Sequence, residues 1–581
     1  MKATAFVLVC IYLVSFSGIG SAQETSGNLE GKVTDSTGIP LTGVNVSLQS
    51  EFLQGIRGTV TNADGYFRIF SLPVGDYTVR ISIVGYRDVV IEDVQVRLGK
   101  TNNLGEIRLE AQTITLPDVT VSGEKQIIDP TSTNYGGNLS SKDFSQLPID
   151  RNYKNIVTLL PHANSSYYGD EANIGGATGF ENKYFVDGAE VTDPLFGASG
   201  TNLPYNFIQE VELKTGGYDV SGRSSLGGLI NVVTKSGSND FHGSFFGFYT
   251  TNRLNEDTKS GLFDVKHGVF SNYDAGFGIG GPIIRDQLWF YTAYNPIYTQ
   301  RDVDIPGNGI YEDQKLIHSF AAKLNWRASD YLNFVFTSTG DPSEHDGVGN
   351  DVGIQPDSAT NPDMYLQDIN EGGFNLSLNG TYNPGQNFIL EGSISRVNRY
   401  GKFEPATEKG RTEVFYNNIV NRIWEGGPPI SRDASRYSTT GKIAGTVFLK
   451  DHTLNAGIEY KINDVDFKLD LRRIDRTPFA YQETIFKAFG EVSNHIPAFF
   501  IQDSWRVIRN LTLNAGIRWE TQTIYATNGD VAQKVSVPLQ PRAGFVFLID
   551  DKGTQRIFGS YGRFAQEFGI FNSLGNHSDN G

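Results

Sequence analysis

Cysteine is nearly missing from this chain: of 581 residues a single one is Cys, at position 10. It lies in an N-terminal stretch that reads as a secretory signal, with Lys2 as the positive start, an apolar run from Ala5 to Phe16, and Gly20, Ser21 and Ala22 as small residues before a cut. Cleavage is expected between Ala22 and Gln23. The mature chain then has no thiol for disulfides, metal ligation or nucleophilic chemistry. Beyond Ala22 there is also no apolar run of the ~20 residues that a membrane helix needs. If such a chain spans a membrane, it does so with strands. A basic excess is missing too: the formal charge is -16 and the pI is near 5.0. That balance offers no electrostatic footprint for phosphate backbones, so nucleic acid is not an expected partner.

Catalytic patterns are equally scarce. The histidines at 162, 242, 267, 318, 345, 452, 495 and 577 never fall within five residues of one another, which excludes an H-E-x-x-H zinc pair. Walker A and G-x-S-x-G motifs do not occur. Gly276, Gly278 and Gly281 fit G-x-G-x-x-G, but they sit in an alternating strand with no helix behind them to present its N-terminus to a phosphate. No enzyme activity, cofactor or metal site is expected. Two acidic stretches, Asp302 to Glu312 and Asp341 to Asp351, lack the D-x-[DN]-x-[DN]-G calcium pattern and read as solvated extracellular loops.

What the chain has in abundance is glycine, 65 residues, and aromatics, 12%. The fold class expected is mainly β. Residues 27–110 carry short alternating runs (LEGKVTD, GVNVSLQS, YFRIFSL, DYTVRISIVG) separated by turns such as Asn62 to Gly65, which predicts a small antiparallel β-sandwich. A linker, 111–126, contains the β-prone ITLPDVTVSGEK, able to add to another protein's sheet edge. Residues 127–236 mix a helix candidate, Asn152 to Leu160, with strands in KYFVDG, QEVELKTG and GLINVVTKSG. This predicts a compact α/β domain, in which Gly227 and Gly228 let the last strand pack closely.

From 241 to 581 the texture becomes about thirteen segments of eight to ten residues with period-two alternation. Tyr273, Ala275, Phe277 and Ile279 share one face against Asn272, Asp274, Gly276 and Gly278; Leu511, Leu513, Ala515, Ile517 and Trp519 oppose Thr512, Asn514, Gly516 and Arg518. Lipid outside and a polar lumen inside account for that pattern, with Trp326, Tyr382 and Trp519 as interfacial aromatics. The chain ends GNHSDNG without a closing strand or terminal aromatic. A truncated transmembrane antiparallel β-barrel is therefore expected, with an open edge near residue 564.

The motifs G-x-V-T-D, P-L-x-G-V-N-V, T-x-x-D-G-Y-F and L-P-x-G-x-Y-T-V in the first unit resemble the carboxypeptidase regulatory-like, transthyretin-related domain. FVDGAEVTDP at 185–194, IQEVELKTGGYDVSGRSSLGGLINVVTKSGSNDFHGS at 208–244 and FFIQDSWRVIRNLTLNAGIRWE at 499–520 are similar to TonB-dependent outer-membrane receptors of the Oar-like type. The resemblance implies that 127–236 is a plug inside the barrel, and that TonB, driven by the inner-membrane energising complex, captures a short segment ahead of it. Carried onto this chain, that segment is Leu116 to Ser122, with Asp118, Val119, Thr120 and Val121 as the added strand; a plain linker strand is the other reading. Arg223 is expected to contact a barrel-wall carboxylate or cargo, or to form an ordinary ion pair. The resemblance further implies an outer-membrane location, with the first domain and linker in the periplasm, contact with outer-membrane lipids and an unidentified extracellular ligand. A structural or adhesive barrel protein without transport is the alternative.

Overall fold

In the computed structural model the described residues are 25–55, 57–111, 119–122, 132–147, 149, 151–166, 171–254, 269–305, 308–349, 361–421, 423–550 and 555–570. The expected signal stretch with Ala22 and Gln23, and Asp118 of the candidate capture segment, lie outside them.

Two sheets form the first unit, and valine, leucine and isoleucine at alternate positions fill the space between them. Leu29, Val33, Val46, Leu48, Phe67, Val79 and Ile81 are all buried in this core. One departure from expectation is directional: Gly27–Asp35 pairs antiparallel with Tyr66–Leu72 but parallel with Thr101–Leu109. The sandwich is therefore mixed rather than antiparallel. Its last strand joins the first from the opposite side to Tyr66–Leu72, and neighbours in that order need not share a hairpin.

The plug is a five-stranded sheet in the order Ala189–Glu190, Lys183–Val186, Leu229–Thr234, Ile208–Gly216, Tyr135–Ser140. Short helices flank it, of which Tyr153–Val157 starts where the Asn152 side chain accepts from Lys154 N. Its core, with Tyr153, Ile156, Tyr184, Val211, Ile230 and Val232, continues without a break onto Tyr291, Ala293, Ala321 and Val397 of the surrounding wall.

That wall is a single antiparallel path of thirteen strands, from His242–Thr251 to Arg556–Gly562, within a sheet of sixteen. Alternation decides which way it faces. Leu324 and Trp326 are 39% and 47% exposed, while their neighbours Lys323 and Asn325 are 4% and 5% exposed. Apolar residues point outward and polar ones inward, the reverse of a soluble sandwich and the arrangement a lipid-embedded barrel requires. The path is open among the described residues: Arg556–Gly562 pairs with Val531–Leu548 on one side, and His242–Thr251 with Phe270–Ile284.

Most of these strands are much longer than the eight to ten residues expected. Tyr481–Ile508 runs 28 residues and His452–Arg476 runs 25. At ~3.3 Å per residue they exceed a ~30 Å hydrocarbon core, so their outer parts are extracellular hairpins that pair with each other above the membrane. The acidic stretches also differ from solvated loops. Leu288–Ile305 and Gly309–Ser329 form one hairpin, and Ser343–Val348 is a strand paired with Gly309–Ser329 and Leu366–Gly385. Asp341 is buried against Arg399 and accepts from Asn202 N at 2.7 Å, and the buried His345 bonds Asp313 at 2.6 Å.

Candidate functional site

The seam between plug and barrel is where chain segments far apart in sequence meet, and beside the apolar core they share it carries buried charge. On the wall, alternation along His452–Arg476 turns Glu459, Lys461 and Asn463 inward, and the same period along Leu511–Tyr525 turns in Arg518 and Glu520. The plug contributes Lys183 and Glu190 from its adjoining strands, and Arg223 from the connection between Ile208–Gly216 and Leu229–Thr234.

These side chains form a continuous network. Arg223 Nε lies 2.6 Å from Glu459 Oε1 and 3.0 Å from Glu190 Oε2. The other oxygen of Glu459 accepts from Arg518 Nη2 at 2.9 Å, and Arg518 also donates to Glu520 at 2.8 Å. Glu190 Oε1 accepts from Lys183 at 3.0 Å and Lys461 at 2.9 Å, and both lysines reach Glu567, at 2.7 and 3.1 Å. Cations Lys183, Arg223, Lys461 and Arg518 thus face carboxylates Glu190, Glu459, Glu520 and Glu567. The balance is what makes their burial tolerable, because an unpaired charge in this lumen would cost several kcal/mol.

Electrostatics follow from the geometry. Burial alone would push the Glu190 carboxyl up, but Lys183, Lys461 and Arg223 outweigh it and hold that carboxyl well below its ordinary range. Arg223 is the mirror case: burial would lower it, and Glu459 and Glu190 raise it. Glu190 and Arg223 both stay charged near neutrality.

A second joint lies at the VDGA turn. Lys323 of the wall donates to Asp187 Oδ1 at 2.7 Å and to Thr234 O at 2.9 Å, while Thr234 Oγ1 donates to Asp187 Oδ2 at 2.6 Å. Nearby, Gly227 and Gly228 sit where a Cβ would collide, at Gly228 with Ile174 and Leu213 at 2.9 and 3.0 Å. That is the close approach expected of this glycine pair.

Val119–Ser122 of the candidate capture segment is a strand. It pairs parallel with Val89–Val96 of the sandwich, in the register Val89 to Val119, Val90 to Thr120, Ile91 to Val121 and Glu92 to Ser122. It is the last strand of its sheet. The segment is therefore held on its own chain's sandwich, a pairing that no local signal in LPDVTVSG specifies.

The sequence alone pointed to Arg223, but not to its partners Glu190 and Glu459 or to Lys461 and Glu567 further along the network. The inward period E-Y-K-I-N at 459–463 was the available signal for two of them. Among the described residues no group of three or more His, Cys, Asp or Glu could hold a metal.

Comparison with known proteins agrees with this architecture. Residues 28–110 match the carboxypeptidase regulatory-like domain, 233–304 an outer membrane beta barrel domain, and 306–576 the TonB dependent receptor-like beta-barrel. The TonB-dependent transporter Oar of Myxococcus xanthus is 26% identical, across 94% of this chain and 62% of Oar. The chain thus spans less than two thirds of that relative. The probable TonB-dependent siderophore receptor PirA of Acinetobacter baumannii is 26% identical across 38% of the chain and 30% of PirA. Among solved structures, the Escherichia coli outer membrane transporter YddB superposes with a TM-score of 0.55 at 14% identity, covering 76% of this chain and 62% of YddB. PirA superposes with a TM-score of 0.52 at 15% identity, covering 73% and 60%. The fold is that of an outer-membrane barrel.

Proposed function

We propose that this chain, built as an outer-membrane receptor of the Oar-like TonB-dependent type with a carboxypeptidase regulatory-like domain in front, binds an extracellular ligand and moves it across the outer membrane by energised rearrangement of the plug. Binding and gating are the mechanism, with no covalent step and no cofactor. The observation that carries the reading is the charged seam around Arg223 and Glu459. A plug held by apolar burial alone would be fixed like a core, whereas ion pairs can exchange for water as the plug shifts, at little net cost.

In this reading TonB and its inner-membrane complex capture Leu116 to Ser122, with Asp118, Val119, Thr120 and Val121 forming the shared strand. Outward apolar faces meet outer-membrane lipid, and Arg223 is a plug-wall contact rather than a cargo ligand. The division into 27–110, 111–126, 127–236 and 241–581 is part of the same proposal. A probe at Thr120→Cys in the otherwise intact full-length protein should crosslink to TonB in an energy-dependent way, and deleting 116–122 should abolish energised uptake. Saturable surface adhesion with no TonB crosslink in the intact protein would favour the adhesive alternative instead.

A further inference from the structure

The sandwich does more than precede the plug: it sits across the end of the barrel where the strand connections are short. Gln386, in the turn between Leu366–Gly385 and Phe388–Pro405, donates to Thr59 Oγ1 at 2.9 Å and to Val60 O at 2.7 Å. Phe70 stacks on Phe448 of the rim at a centroid distance of 4.7 Å, and Arg68 lies over the same ring. Arg506 stands 3.6 Å from Glu30. The plug holds the sandwich as well. Glu210 accepts from Leu98 N at 2.8 Å, and Lys142 pairs with Asp76 at 2.5 Å.

Behind this contact is a cavity of about 320 Å³ whose walls come from three bodies: Glu30 and Phe70 of the sandwich, Asn231 of the plug, and Lys442, Asn455 and Ser504 of the barrel. Lys442, Asn455 and Ser504 make its barrel wall polar, and the sandwich forms its periplasmic side. Whatever passes the plug on this side meets the sandwich next.

The capture strand joins these facts. Val119–Ser122 lies on the sandwich edge, paired with it from Val89 to Glu92. A pull on that strand is therefore passed to the sandwich through the strand pairing itself. We infer that the sandwich is a removable cap on the periplasmic exit, moored to the capture strand, so that a pull on the strand lifts the cap. The inference rests on the capture reading above for the source of the pull, while the cap itself stands on the rim contacts and the cavity.

The test uses the full-length protein in detergent micelles with Ser504→Cys in the cavity wall, and reads how fast a bulky maleimide-polyethylene glycol adds to it. Modification should be slow, and about tenfold faster or more when Phe448→Ala and Gln386→Ala remove the rim contacts, because labelling then tracks undocking. Phe448→Tyr, which keeps a stacked ring, should stay slow, and heat-modifiable gel mobility checks that each barrel is folded. In a second arm, a tether at Ser122→Cys is pulled by optical tweezers; the first length gain should need less force in the rim-substituted protein. Equal labelling rates, or a first length gain indifferent to the rim substitutions, would overturn the proposal. Failure of the capture reading would appear separately, as no TonB crosslink at 119–122 with the labelling difference intact.

Discussion

Arg223 of the plug and Glu459 of the barrel wall meet at 2.6 Å with both side chains buried, although 236 positions separate them in sequence. Each is held by further partners, Arg223 by Glu190 and Glu459 by Arg518. The pair therefore ties the plug to the wall through a network rather than a single bridge.

Removing one member should expose that coupling. Arg223→Met leaves carboxylates short of a cation, and the usual cost of breaking a buried pair is about 3–5 kcal/mol. Here Lys183, Lys461 and Arg518 retain part of the compensation, which places the expected loss at the lower end. The double variant Arg223→Met with Glu459→Gln should recover about 1 kcal/mol or more relative to the sum of the singles. Urea unfolding of the plug followed by hydrogen exchange measures this, and strictly additive losses would contradict the pairing.

Acid should loosen the same seam. The Glu190 carboxyl is held well below its ordinary range, so its folded value lies under the unfolded value of about 4.3. A group depressed in this way contributes stability that is present above the unfolded value and lost as pH falls through the folded one. The Glu190 contribution to plug stability should be flat from neutrality to about pH 5 and decline below about pH 4. Glu190→Gln should be less stable at neutral pH and show a shallower acid decline in thermal melts.

Asp187 offers a cleaner isostere. It has a positive φ of 45°, a conformation that Asn tolerates, so Asp187→Asn should keep the turn while depriving Lys323 of its counter-charge. The expected loss is about 1–3 kcal/mol, seen as a lower urea midpoint, and Lys323→Met in the same protein should restore part of it.

Crowding at the last plug strand is testable by size. Gly228→Val must push Ile174 or Leu213 aside and should cost about 1–3 kcal/mol. Gly222→Ala, whose nearest neighbour would be Leu229 at 3.6 Å, should be close to neutral in the same melt. Equal losses at the two positions would remove the packing explanation.

Much of the barrel was legible because its signal is local. The alternation of Phe277 and Ile279 with Gly276 and Gly278, or of Leu324 with Lys323 and Asn325, states in a few residues which side meets lipid. Strand length was less so, since pairing above the membrane leaves no hydrophobic mark. Asp341 and His345 looked like solvated loop for the same reason: their partners Arg399 and Asp313 lie 58 and 32 positions away.

By itself, then, the sequence determined that the chain has a β-sandwich, a glycine-rich plug and strands with an apolar outer face, because turn residues and period-two patterning act over a few positions. Only the tertiary structure decided that Arg223 faces Glu459, that Glu190 gathers Lys183 and Lys461, and that Val119–Ser122 lies parallel on Val89–Val96 of the sandwich. Those choices depend on which distant surfaces are brought together and on charge balance in a lumen that cannot tolerate an unpaired ion. No stretch of neighbouring residues encodes them.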